Sequence, residues 1–134
     1  MTIVVGYVAT DEGRAALARA VQEARLRGTR LLVVDSARPG ARPEAEAERL
    51  QEALGEVRAV LAGTGVDHEV HPRSDTGDPA EDIIGVAGET GADLIVIGLR
   101  RRTPVGKLIL GSNAQRILLE APCPVLAVKA GAPS

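Results

Sequence analysis

Short apolar runs alternate along the chain with longer segments in which apolar residues recur every three or four positions. An unbroken run of this kind is typical of a strand covered on both faces, and the longer spacing is typical of an amphipathic helix. The runs begin at Ile3, Leu31, Leu94 and Val125. The helical stripes begin at Ala16, Leu50 and Pro79. The pattern therefore predicts strands and helices in alternation.

Residues near the ends of these segments fit the same boundaries. Gly28 is placed to end the first helix, and Asp78 followed by Pro79 supplies an N-cap and a first-turn proline for the third. Residues 66–71 alternate between apolar and polar, which predicts an edge strand with one exposed face. Strands alternating with helices in this way imply a parallel sheet with helices on both faces.

The segment after the fourth predicted strand is the most informative part of the chain. A buried run ending at Gly98 leads through a basic loop to Gly111, Ser112 and a helix. Ser112 and Gln115 stand at capping-box spacing, which predicts a helix beginning at Asn113. Backbone N–H groups in a glycine-containing loop and at a helix N-terminus attract phosphate. The loop is therefore a candidate anion-binding site.

This segment resembles the universal stress protein family. The family pattern is glycine, two residues, glycine, nine residues, glycine, and then serine or threonine. Gly98 matches the first glycine and Gly111-Ser112 match the end, whereas the middle glycine falls on Arg101. Further similarity lies in residues 77–84, 92–98 and 121–128. The resemblance covers residues 3–129.

The resemblance implies one domain over residues 1–129, and the terminal residues 130–134 are expected to form a frayed tail. The implied fold is α/β, a doubly wound, five-stranded parallel sheet in the order 3-2-1-4-5 with helices on both faces. Ligands bind such sheets beyond the carboxyl ends of the strands, where the strand order reverses. That switch lies between strands 1 and 4, so we expect a cleft bordered by Tyr7, Val8 and Gly98.

In ATP-binding members of the family this glycine loop wraps the phosphates, and the serine after the last glycine contacts them. The resemblance therefore implies an adenine-nucleotide site, with ATP as the cofactor. By position, its residues are Gly98, Arg101, Gly111, Ser112 and Asn113. Further positive charge would come from Arg100, Arg102 and Lys107.

Two departures from the family pattern bear on this site. Arg101 replaces a loop glycine, so its side chain either fills the phosphate space or clamps a phosphate. ATP-binding relatives usually carry Asp-Gly-Ser at the end of strand 1, with the aspartate near the adenine, and this chain has Val8-Ala9-Thr10 there. Asp35, at the end of strand 2, is a candidate substitute. We therefore expect weak rather than tight ATP affinity.

Composition argues against several other functions. The 134 residues carry a net charge of -2 and a single aromatic residue, Tyr7, which disfavours a nucleic-acid partner. No apolar run approaches the ~20 residues that span a membrane, and the lone Cys123 fits a reducing cytoplasm. P-loop and Gly-x-Ser-x-Gly patterns are absent, and His68 and His71 would point to opposite faces of a strand. Neither catalytic residues nor a metal site are predicted.

We expect a regulatory or protective protein without strong catalysis. The last strand would be a bare sheet edge in a monomer. The resemblance implies a homodimer through Val125, Leu126, Ala127 and Val128. Two alternatives stay open, a nucleotide-independent dimeric interaction module and a slow ATP hydrolase that uses the same cleft.

Overall fold

The computed structural model describes residues 1–36, 43–71, 78–100 and 110–130. Strands and helices alternate along them, as the apolar pattern predicts. The strands are β1 (Thr2–Tyr7), β2 (Arg30–Asp35), β3 (His68–His71), β4 (Leu94–Leu99) and β5 (Val125–Lys129). The helices are α1 (Asp11–Arg27), α2 (Pro43–Leu61), α3 (Pro79–Thr90) and α4 (Ser112–Glu120).

The strands form one parallel sheet in the order β3-β2-β1-β4-β5. β1 lies at its centre, where Val5 aligns with Val33 of β2 on one side and with Val96 of β4 on the other. β5 lies at one end of the sheet, with Leu126 aligned to Val96. This arrangement confirms the predicted α/β fold class and the strand order.

The two faces of the sheet bury separate aliphatic cores, because successive residues of a strand point to opposite faces. Ile3, Val5 and Tyr7 of β1 join the core beneath α1 and α2. Val4, the alternate residue, joins the core beneath α3 and α4, which includes Ile83. Burying one such side chain stabilises the fold by about 1.5–3 kcal/mol, so both cores contribute to packing the helices on the sheet.

Side-chain caps begin two of the helices. Thr10 caps α1 by accepting a hydrogen bond from the Gly13 N–H at 3.1 Å. Asp78 caps α3, as predicted, by accepting from the N–H groups of Ala80 and Glu81. Gly28, also as predicted, follows α1 in the left-handed region at φ 63°, where glycine carries no steric penalty.

The N-terminus of α4 differs from its prediction. The helix begins at Ser112 rather than at Asn113, its N-cap is Gly111, and no side chain caps it within the described residues. The predicted Ser112–Gln115 capping box is therefore wrong. Because the helix starts one residue early, Ser112 occupies the first helical position, from which its hydroxyl does not serve as the N-cap acceptor.

Two strand boundaries also differ from the prediction. β3 begins at His68 rather than at residue 66, and β4 continues beyond Gly98 to Leu99. Across the described part of the chain, no helix is long and apolar enough to cross a membrane.

Candidate functional site

A cavity of about 460 Å³ opens where the strand order reverses, beyond the carboxyl ends of β1 and β4. The segment after β1 lines one wall through Val8, Ala9 and Thr10. The end of β4 and the start of α4 line the opposite side, and α3 contributes Ala80 and Ile83. A ligand cleft at this position is what the doubly wound topology predicts.

The structure brings most of the predicted site residues into this one cavity. Gly98, Gly111, Ser112 and Asn113 all line it. Arg101, the remaining predicted binding residue, lies outside the described residues, as do Arg102 and Lys107. The described part of the candidate site therefore consists of the end of β4 and the start of α4, and it does not include the loop that joins β4 to α4.

The α4 N-terminus supplies hydrogen-bond donors at the cavity wall. The first N–H groups of a helix have no acceptor within the helix, and here no described side chain caps them. A Cβ added at Gly111 would meet no atom within 4 Å, so open space lies beside this terminus. Such a terminus favours an anion through its N–H groups and its dipole.

Gly98 has a packing role that the sequence did not indicate. A Cβ at this position would lie 2.3 Å from the backbone oxygen of Glu12. Gly13 makes a similar approach, since a Cβ there would lie 1.9 Å from the Val8 oxygen. The two glycines therefore allow the first turn of α1 to press against the ends of β1 and β4, which fixes that wall of the cavity.

Tyr7 lies on the other face of the sheet, so the expectation that it borders the cleft is wrong. Its hydroxyl donates a hydrogen bond to Glu56 of α2, which also accepts one from Arg14 at 3.3 Å. Burial, followed by the bond to the Glu56 carboxylate, raises the pKa of Tyr7 to about 12. Because side chains alternate along a strand, Gly6 and Val8 face the cavity and Tyr7 does not.

Asp35 does not line the cavity as the suggested substitute for the missing aspartate. Its carboxylate is buried and accepts two hydrogen bonds from Arg49 of α2, at 2.9 and 3.3 Å. The Arg49 side chain and Ser36 form the cavity wall at this end. Asp35 thus acts on the site through Arg49.

Opposite charges meet at the mouth of the cavity. Glu12, in the first turn of α1, lies 3.6 Å from the Arg100 Nε atom, and both residues line the cavity. Glu12, Ser36 and Arg49 were not predicted from the sequence as site residues. No sequence signal marked Glu12, because its approach to Gly98 of β4 joins residues that are distant along the chain.

A further ion pair joins the two helices on the α3 side of the cavity. Arg116 of α4 donates to the Asp78 carboxylate and, at 3.0 Å, to Glu120. The backbone N–H of Glu81, together with Arg116, holds the pKa of Asp78 below its usual range. Asp78 therefore caps α3 and at the same time ties α4 to it.

The other candidate reactive groups lie apart from this cavity. Cys123 packs against the core beneath α3 and α4, and burial, with the nearby Asp93 charge, raises the pKa of its thiol. Raising the pKa depletes the thiolate, which is the nucleophilic form. Among the described residues, no group of three or more His, Cys, Asp or Glu side chains is arranged to hold a metal ion.

Comparison with known proteins places this chain in a family. The family model described as "Universal stress protein family" matches residues 1–129. A universal stress protein of Mycolicibacterium smegmatis is 46% identical over 128 residues, covering 95% of this chain and 96% of that protein. The chain belongs to the universal stress protein family, as its resemblance indicated.

Two solved structures of universal stress proteins from Archaeoglobus fulgidus are also similar. One superposes with a TM-score of 0.83 at 37% identity, covering 96% of this chain and 98% of the other. The second, described as a complex with dAMP, superposes with a TM-score of 0.78 at 31% identity and the same coverage.

Proposed function

We propose that this chain binds an adenine nucleotide in the cavity between β1 and β4 and acts as a regulatory or protective stress protein without strong catalysis. The observation that carries the proposal is the uncapped N-terminus of α4, which opens into a cavity of about 460 Å³ at the switch point of the sheet. The similar Archaeoglobus fulgidus protein solved with dAMP supports the ligand class. ATP is the first ligand to test.

The phosphates are proposed to lie at the start of α4. Ser112 is exposed there and offers a hydroxyl, and the backbone of Gly111, Ser112 and Asn113 offers N–H donors. Gly98 and Arg101 complete the proposed binding residues, Gly98 from the end of β4 and Arg101 from the following loop. This arrangement would stabilise a negative charge through N–H donors and positive charge rather than through a metal ligand among the described residues.

Affinity is expected to be modest. Val8, Ala9 and Thr10 offer no carboxylate to the base, and Asp35 is engaged with Arg49. We expect an ATP dissociation constant of tens of micromolar at the tightest, a binding free energy of about 6 kcal/mol.

Substitution of Ser112 tests the phosphate position. Ser112→Asp places a carboxylate in the first turn of α4, where it should stabilise the helix by about 0.3–1 kcal/mol through the dipole. The same charge should repel the phosphates, and the lost hydroxyl contact alone is worth about 1.5–3 kcal/mol. We therefore expect calorimetry to show ATP binding at least about tenfold weaker while thermal stability is kept or raised.

Ser112→Thr is the matched control, because it keeps the hydroxyl and should keep the affinity. Unchanged ATP binding by Ser112→Asp would show that the phosphates do not lie at the start of α4. If the wild-type chain binds neither ATP, ADP nor AMP, the nucleotide-independent interaction module replaces this proposal.

A homodimer through β5 is the second part of the proposal. β5 lies at the end of the sheet, and Val125, Leu126, Ala127 and Val128 are all half-buried in the single chain. The preceding helix exposes two large apolar side chains, Leu118 and Leu119, the latter 85% exposed. A two-fold pairing through this edge would cover apolar surface and the unpaired backbone groups of β5.

The slow ATP hydrolase is the alternative from another class. Of the described residues that line the cavity, Glu12 supplies the carboxylate, and this carboxylate is paired with Arg100. A carboxylate engaged by arginine is a poor general base, so binding without turnover is the favoured proposal. Release of phosphate from ATP in proportion to protein concentration would reverse that preference.

A further inference from the structure

We infer that the guanidinium of Arg49 is the platform on which the base of the nucleotide stacks. The inference rests on the proposed function, since it assumes a nucleotide with its phosphates at α4. It assigns a role to a residue of α2, which lies outside the glycine-loop pattern. It concerns the end of the cavity at which ATP-binding relatives carry an aspartate after β1 and this chain does not.

The position of Arg49 suits the base rather than the phosphates. Arg49 lies at the carboxyl end of β2, and in the sheet order β1 separates β2 from β4. Two strand spacings therefore separate this end from the β4 side, a distance of about 10 Å. A nucleotide whose phosphates lie at α4 extends its base towards Ser36 and Arg49, which both line the cavity.

The charge on Arg49 is already matched by a buried carboxylate. The Nη1 and Nη2 atoms donate to the two carboxylate oxygens of Asp35, at 3.3 and 2.9 Å. This paired contact fixes the plane of the guanidinium, and the flat face of that plane is the part that we propose meets the base. Because Asp35 neutralises the charge, a neutral planar ring fits this end better than a second phosphate does.

The rest of the described lining offers no aromatic ring to the base. Tyr7, the chain's single aromatic residue, lies on the other face of the sheet. The neighbouring lining residues at this end are small or aliphatic, namely Gly6, Val8 and Ile83. The Arg49 side chain lines the cavity and is 32% exposed, although its Nε atom is buried, so part of the side chain is open to a ligand. Stacking on an arginine plane is an established way to bind a base, and a purine, with the larger ring, gains most.

The test compares AMP with ribose 5-phosphate, which lacks the base. Two-dimensional NMR titrations would measure both dissociation constants in the wild-type chain and in Arg49→Lys, which keeps the charge that faces Asp35 but removes the plane. Base stacking is expected to make wild-type binding of AMP at least about fivefold tighter than binding of ribose 5-phosphate. Arg49→Lys should lose most of that preference and should bind ribose 5-phosphate as the wild type does.

A direct signal separates stacking from a merely structural role of Arg49. The purine ring current should shift the Arg49 side-chain resonances upfield when AMP is added, and ribose 5-phosphate should leave them in place. Arg58→Lys is the matched control, because it makes the same change on the exposed face of α2. It should preserve the wild-type preference for AMP.

Each outcome bears on one of the two proposals. Equal wild-type affinity for AMP and ribose 5-phosphate would overturn the platform and leave the phosphate site standing. A preference for AMP that survives Arg49→Lys would also overturn it. Failure of the wild type to bind either compound would overturn the proposed nucleotide site and the platform together.

Discussion

At the scale of single residues, glycines shape the cavity by what they let approach. Gly98 matches the family's glycine pattern, and that pattern predicted its place beside the cavity. Its packing against α1 could not be predicted, because Glu12 is distant in sequence and the contact depends on how α1 crosses the sheet. The expectation that Tyr7 borders the cavity was wrong for a related reason, since a shift of one residue along a strand reverses the face that a side chain occupies.

Gly98→Ala should destabilise the fold. The added Cβ would lie 2.3 Å from a backbone oxygen of α1, which cannot turn aside as a flexible side chain can. Overpacking of this kind costs about 1–3 kcal/mol of unfolding free energy, to be measured by urea denaturation.

Gly85→Ala is the control of opposite sign, because Gly85 lies exposed in α3 with no atom near its Cβ position. It should stabilise the fold by about 0.5–1 kcal/mol. Equal effects of the two changes would refute the close contact.

At the scale of elements, the start of each helix determines what it offers to the cavity. The Asp78 cap could be predicted because a cap is encoded by adjacent residues. The start of α4 could not be predicted, because Gly111 and Ser112 both suit an N-cap and the adjacent residues do not decide between them. Arg49 and Arg116 were missed for a third reason, since each acts on a carboxylate of another element.

Asp78→Asn tests the link between α3 and α4. The folded-state pKa of Asp78 is lowered, so its carboxylate stabilises the fold above the unfolded-state pKa, and that contribution is lost as the pH falls through the folded-state value. Asparagine keeps the cap but not the charge. The melting temperature of the variant should therefore fall less than that of the wild type on acidification from pH 7. Asp11→Asn, which removes an exposed carboxylate from α1, is the control. A wild-type acid slope in Asp78→Asn would disprove the assignment.

At the scale of the whole molecule, the order of the strands places both the cavity and the bare edge. Both follow from the alternation of apolar runs and helical stripes, once the family resemblance supplies the strand order. Association of two chains cannot be derived in the same way, because an exposed edge shows what is available for pairing and not what pairs with it.

Leu126→Lys tests the proposed dimer. The lysine would place a charge in each half of a two-fold contact, so like charges would meet across it. Light scattering at micromolar concentration should show a dimer for the wild type and a shift towards monomer for the variant. Leu26→Lys is the control, since it removes a leucine that is 75% exposed on α1. A wild-type mass equal to that of one chain would rule out the dimer.

The position of Tyr7 has a practical consequence for studying this protein in solution. With no tryptophan in the chain, its ring is the sole source of intrinsic ultraviolet fluorescence. We expect the hydrogen bond to the Glu56 carboxylate to quench that emission in the folded state and unfolding to relieve the quenching by separating the two groups. The ring also lies across the sheet from the cavity. We therefore expect its emission to report unfolding rather than occupation of the cavity, so that a melting curve would carry little signal from the ligand site.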